Sequence, residues 1–190
     1  MKRPLAASLA VVLVLAACSK EKGDGKPEPP TIDSVEVFEG LSHEHVPPAS
    51  YPQTPPVGGP HSPAWLNCGV YDEPVPDVNA VHSMEHGAVW ITYRRTLSQD
   101  DLTIVKRLQG LKPEYVLISP HENLPSPVVA STWSYQLEVE RADDPRLAEF
   151  VKQYAGGDQG GEPGAPCSGG LSPEQAALYN ASPGASAPAR

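Results

Sequence analysis

The chain has 190 residues, 39% apolar and 19% charged, and its 14 basic residues face 23 acidic ones for a net charge of −9. This balance shows no basic patch, which argues against nucleic acid as a partner and against electrostatic docking on anionic lipid. Without residues 1–17, which carry Lys2 and Arg3, the balance becomes 12 against 23, a net charge of −11.

Lys2 and Arg3 open the chain, and Leu5 to Ala16 is an apolar run too short to span a bilayer as a mature helix. The run ends in Leu15-Ala16-Ala17-Cys18, which resembles a bacterial lipobox. Cleavage before Cys18 leaves a thiol that carries diacylglycerol and an amine that is acylated, and such chains hold a protein at a membrane. The reading is a lipoprotein signal peptide over 1–17, a lipidated Cys18 and a location in the bacterial cell envelope, outside the cytoplasm. The competing reading is an ordinary secretory peptide with a coincidental cysteine. Residues 18–35 are rich in Lys, Glu, Gly and Pro with little to bury, and read as a disordered tether. One globular domain is expected over 36–168 and a flexible tail over 169–190, with a short helical stretch possible at 173–179.

From Glu36 to Pro76 prolines exclude long helices and central strands, and this half is expected to wrap a core through Tyr51, Trp65, Leu66, Val70 and Tyr71. The rest is regular. Asp77 caps a short helix over 78–86, and Gly87 suits its left-handed exit. Ala88 to Tyr93 is a β-rich run that reads as a buried strand. Ser98 and Asp101 resemble a capping box, and Leu102, Val105 and Leu108 follow helical spacing, so 99–110 is a helix. Tyr115 to Ser119 and Val128 to Glu138 read as strands. Asp143 or Asp144 caps a last helix with Pro145 in its first turn and Leu147, Phe150, Val151 and Tyr154 on one face, and Gly156-Gly157 stops it. The order β-α-β-β-α after the proline-rich segment implies an α+β fold, a small mixed sheet with helices packed on one face.

The chemistry concentrates in Val81-His82-Ser83-Met84-Glu85-His86-Gly87. Spacing i, i+3, i+4 on a helix puts both imidazoles and the carboxylate on one side, where they can hold a transition-metal ion. A capping role for His86 at the helix C-terminus is the bland alternative. His61, in the rigid turn Gly59-Pro60-His61-Ser62-Pro63, is the expected third ligand, so the candidate metal set is His61, His82, Glu85 and His86. His43-Glu44-His45 alternates like an extended metal-binding segment, and His121 sits at a strand end. Solvation is the simplest reading for His43 or His121 alone, and replacing His43 is expected to do little. Met84 and Ser83 should point away from the site. The order His-x-x-Glu-His is also the inverted zinc-peptidase signature, but that motif lies on a long helix with a further glutamate on a later one. Here the helix has about two turns, and Glu149 lies on a later helix, but nothing in the sequence places it near the motif.

Once Cys18 is lipidated, Cys68 and Cys167 form an even pair for which a disulfide is the default in an oxidising compartment. The alternative is that one or both are thiolate ligands of a soft metal.

Tyr51-Pro52, Pro55-Pro56-Val57-Gly58-Gly59-Pro60-His61, Trp65, Cys68-Gly69-Val70-Tyr71 and Pro74-Val75-Pro76 occur in order ahead of the His-Glu-His run. Trp90 to Tyr93, Ser119-Pro120, Pro127 to Trp133 and Pro166-Cys167 follow it. Together, over roughly 43–167, they resemble the bacterial domain-of-unknown-function family 3105. That family's usual pattern has Ser-Gly where this chain has Gly58-Gly59. The resemblance implies a secreted or membrane-anchored domain, supports the Cys68–Cys167 pairing and a site around His61, His82, Glu85 and His86, and supplies no reaction. The functional expectation is an envelope lipoprotein that binds or handles copper or zinc. The alternatives are a metal-dependent hydrolase with Glu85 as base, or a non-catalytic envelope interaction protein.

Overall fold

A computed structural model describes residues 30–46 and 50–182. The expected signal peptide over 1–17, Cys18 and most of the expected tether over 18–35 lie outside the described residues. The fold is α+β: a mixed six-stranded sheet with four helices. In chain order its elements are β1 (Val35–Val37), β2 (Gly69–Val70), α1 (Asp77–Glu85), β3 (Val89–Tyr93), α2 (Gln99–Arg107), β4 (Val116–Pro120), β5 (Val128–Thr132), β6 (Tyr135–Val139), α3 (Pro145–Tyr154) and α4 (Pro173–Ala181). Spatial order is β1-β6-β5-β3-β4-β2. β3, β4 and β2 run parallel, joined between β3 and β4 by the crossover through α2, and β5, β6 and β1 pair antiparallel.

Alternation along the strands sends two sets of side chains to opposite faces. Val89, Ile91, Val116, Ile118, Ala130 and Leu137 meet Val105 of α2 and Leu147, Phe150 and Val151 of α3. Trp90, Leu117 and Trp133 meet Ala80, Val81 and Met84 of α1, together with Leu66, Val75 and Ala176. α2 and α3 thus pack on one face, while the motif helix, the proline-rich wrap and Ala176 of α4 lie on the other, so the helices are not confined to one face, contrary to the sequence expectation. With both faces covered, β3, β4 and β5 are buried throughout.

Several boundaries differ from the sequence expectation for local reasons. Pro76 occupies the N-cap of α1 and Asp77 its first turn. The helix from Gln99 ends at Arg107 and tightens into a 3-10 turn over Leu108–Leu111. Val128 to Glu138 is not one strand but the β5–β6 hairpin, turned by Trp133 and by Ser134 at φ 69°. Val70, expected as an anchor, is exposed on the short edge strand β2. Ile32 and Val35 join the core ahead of residue 36. The stretch from 169 to 182 is packed where a flexible tail was expected: Leu171 bridges to Leu66, Ser172 and Gln175 form a reciprocal capping box, and Asn180 donates to the Asn79 side chain at 2.7 Å.

Candidate metal centre

α1 is buried on nearly all sides, from Asn79 through Glu85. Its position follows from local chemistry. Pro76 stops it from extending backwards. Gly87 takes φ +94°, where a Cβ would also meet the Gly157 carbonyl at 2.8 Å. Ser83 donates to the Leu66 carbonyl at 2.9 Å and accepts from the Leu66 amide, and Met84 packs into the core beside Trp90. Both therefore point away from the histidines. His82, Glu85 and His86 are 1%, 2% and 2% exposed.

Three imidazoles share one arrangement. Each presents Nδ1 to a main-chain carbonyl: His61 to Gly59 at 2.8 Å, His82 to Ser62 at 2.7 Å and His86 to Pro166 at 2.9 Å. A carbonyl only accepts, so each Nδ1 carries the proton, and in the neutral ring each Nε2 holds a lone pair. Such carbonyl-oriented imidazoles are the usual support of a metal ligand. Nε2 of His82 is buried and has no hydrogen-bond partner among the described residues. Nε2 of His61 faces Glu85 Oε2 at 3.0 Å, and Nε2 of His45 faces the same oxygen at 3.2 Å. A lone pair against a carboxylate oxygen repels unless a proton or a metal ion lies between them.

The ligating atoms of His45, His61, His82 and Glu85 lie within 4.8 Å of one another, and so do those of His82, His86 and Glu162. A tetrahedral zinc ion with bonds of about 2.0–2.2 Å spaces its ligand atoms about 3.3 Å apart, so only a modest contraction closes the first set. The four residues expected from sequence are thus brought together, though not as a single set. The reason is helical. At about 100° per residue, Glu85 and His86 fan out to opposite sides of His82. Glu85 turns to His61 and His45, and His86 turns to Glu162, whose carboxylate is 3.3 Å from its Nε2.

His43 belongs to the site. Its Nδ1 is 2.6 Å from Glu85 Oε1, and its ring stacks on Trp133 with centroids 4.3 Å apart. Neither contact was legible in the sequence. Glu162 was not anticipated at all. It sits on a strap, residues 158–167, laid across the end of α1. The strap comes so close that a Cβ at Gly161 would lie 2.6 Å from His43 Nδ1 and 2.8 Å from Glu85 Oε1, and a Cβ at Gly160 would collide with the Glu85 carbonyl. His121 lies elsewhere, 3.1 Å from Asp77 and edge-on to Trp90. Glu149 is exposed on α3, across the sheet from the site, and takes no part. Cys68 and Cys167 form a disulfide, so neither offers a thiolate.

Burial pushes His82 down to about 4, with the charges of His86 and His61 adding to the effect and the Ser62 carbonyl opposing it. Burial raises Glu85, but in the metal-free protein hydrogen bonds with His61 and His43, whose facing ring nitrogens then carry a proton, outweigh it and hold the carboxyl at about 2. A base whose folded value is depressed is protonated first in the unfolded chain, so its contribution is whole above about 6.5 and is lost as pH falls toward 4. For His82 in the metal-free protein that amounts to about 3 kcal/mol. Glu85 acts in the same direction at lower pH, from its ordinary value of 4.5 downward. Denaturant midpoints of metal-free protein should fall between pH 7 and pH 4, and a His82→Leu variant should lose that step. A variant with the wild-type pH profile would show that His82 is not the group responsible.

The family whose profile is described as a protein of unknown function, DUF3105, matches residues 44–169. The match covers more than half of the chain, and the chain belongs to that family. No curated protein and no solved structure matches it.

Proposed function

We propose that this DUF3105 chain is a lipid-anchored protein of the bacterial envelope that binds a zinc or copper(II) ion through imidazoles gathered at the end of α1. One observation carries the reading: the buried Nε2 of His82 has no hydrogen-bond partner among the described residues, in a ring whose Nδ1 is committed to the Ser62 carbonyl. An unpaired buried polar atom costs about 1–3 kcal/mol, and a metal ion removes that cost. Imidazole and carboxylate donors suit zinc or copper(II). Copper(I) prefers sulfur, but both cysteines of the domain are in the disulfide and Met84 is in the core.

The hydrolase reading is less well supported. A catalytic base needs an oxygen clear of the ligand set, yet both oxygens of Glu85 lie 2.6–3.2 Å from imidazole nitrogens. An interaction protein with incidental histidines would not require five imidazoles around one carboxylate region. Elemental analysis of protein purified from its native envelope, followed by calorimetric titration of the metal-free form, tests the proposal. Absence of zinc or copper from the purified protein, and of any heat on titration, would end it.

Anchoring rests on Leu15-Ala16-Ala17-Cys18 and is compatible with the disulfide. Changing Cys18 to Ser should move the protein from the membrane to the soluble fraction. A variant as membrane-associated as wild type would place the anchor elsewhere.

A further inference from the structure

His82 belongs to both candidate ligand sets: with His45, His61 and Glu85 on one side, and with His86 and Glu162 on the other. Its ring centroid is 4.9 Å from that of His61 and 4.7 Å from that of His86. A bridging imidazolate would need both ring nitrogens, but Nδ1 of His82 is bound to the Ser62 carbonyl. Only Nε2 remains, and one lone pair serves one ion. The two sets therefore cannot both be complete at the same time.

We infer that the cluster holds a single ion in either of two adjacent positions that share His82 Nε2, and that the ion exchanges between them. The inference rests on the metal reading above. Each position has one ligand at the surface, the His45 side chain at 37% exposure and that of Glu162 at 24%, while His61, His82 and His86 are buried. An acceptor ligand arriving from solvent can thus displace the outermost ligand of either position without opening the buried imidazoles. That is the property a protein needs if it passes a metal on instead of storing it. Swapping one ligand at a time also keeps the ion coordinated throughout.

Copper(II) titrated into the metal-free, full-length protein tests this. The expected result is one ion per chain with two paramagnetic resonance signals. Glu162→Gln, an isosteric change at a partly exposed side chain, should remove one signal and leave one ion bound. His61→Asn should remove the other signal. Two ions per chain in the wild type would overturn the inference, as would a Glu162→Gln spectrum identical to the wild-type one. No bound copper in the wild type would instead bring down the metal reading itself, and the shared position with it.

Discussion

Replacing His82 with alanine should weaken zinc binding by at least a factor of about 100, since even the outer partners of a metal ligand are worth about 10–100-fold. No other residue should have a larger effect, because His82 alone serves both ligand sets. His61→Ala or His86→Ala leaves one set intact and should cost less than His82→Ala. His43→Ala should now cost about tenfold as an outer partner of Glu85, where solvation was the simpler expectation from sequence. Calorimetry on metal-free proteins measures all four. The cavity left by His82→Ala is lined by Trp65 and neighbouring imidazoles, so His82→Gln serves as a second variant that keeps volume. If both bind zinc as tightly as wild type, the site lies elsewhere.

The parts of this fold that were legible in the sequence are those whose signals are local. α3 was readable because Asp144, Pro145 and the Leu147, Phe150, Val151, Tyr154 stripe lie within ten residues of one another, and each does what its spacing implies. The hairpin was not, because Trp133-Ser134 contains neither glycine nor proline, and Ser134 takes its left-handed angle without them. β1 and β2, three and two residues long, exist only through partners far along the chain. α4 buries only Ala176, so it shows no apolar stripe, and the sequence offered no more than a short helical stretch at 173–179 inside an expected flexible tail.

The same division holds at the candidate metal centre. His82, Glu85 and His86 stand on one helix and could be found by counting. His45 and Glu162 reach them from some forty residues upstream and some eighty downstream, distances that only tertiary packing closes. Glu162 had a weak signal in hindsight. It lies between the Gly160-Gly161 pair and Cys167, and glycines that must accept close backbone approach, followed by a pinned cysteine, describe a strap held against something.

Removing the disulfide should be the most destabilising change of all. The bond joins residues 99 apart. In the chain-entropy model, closing a loop of that length stabilises by roughly 4–5 kcal/mol. For a domain of this size, that corresponds to a melting point lower by roughly 10–20 °C in a Cys68→Ser, Cys167→Ser double variant. The Cys68 amide still donates to the Cys167 carbonyl, and Asn67 still donates to Gly170 at 3.0 Å, so these contacts retain part of the alignment. The effect on metal should be uneven. Pro166, next to Cys167, supplies the carbonyl that orients His86, and Glu162 rides on the same strap. The His86 and Glu162 position should therefore weaken more than the position built from His45, His61 and Glu85, none of which lies on the strap. Thermal melts with and without reductant, read beside the copper signals of the two positions, measure both effects. An unchanged melting point would show that the strap is held by its other contacts alone, and an equal loss at both positions would show that the disulfide supports α1 as a whole and not the strap in particular.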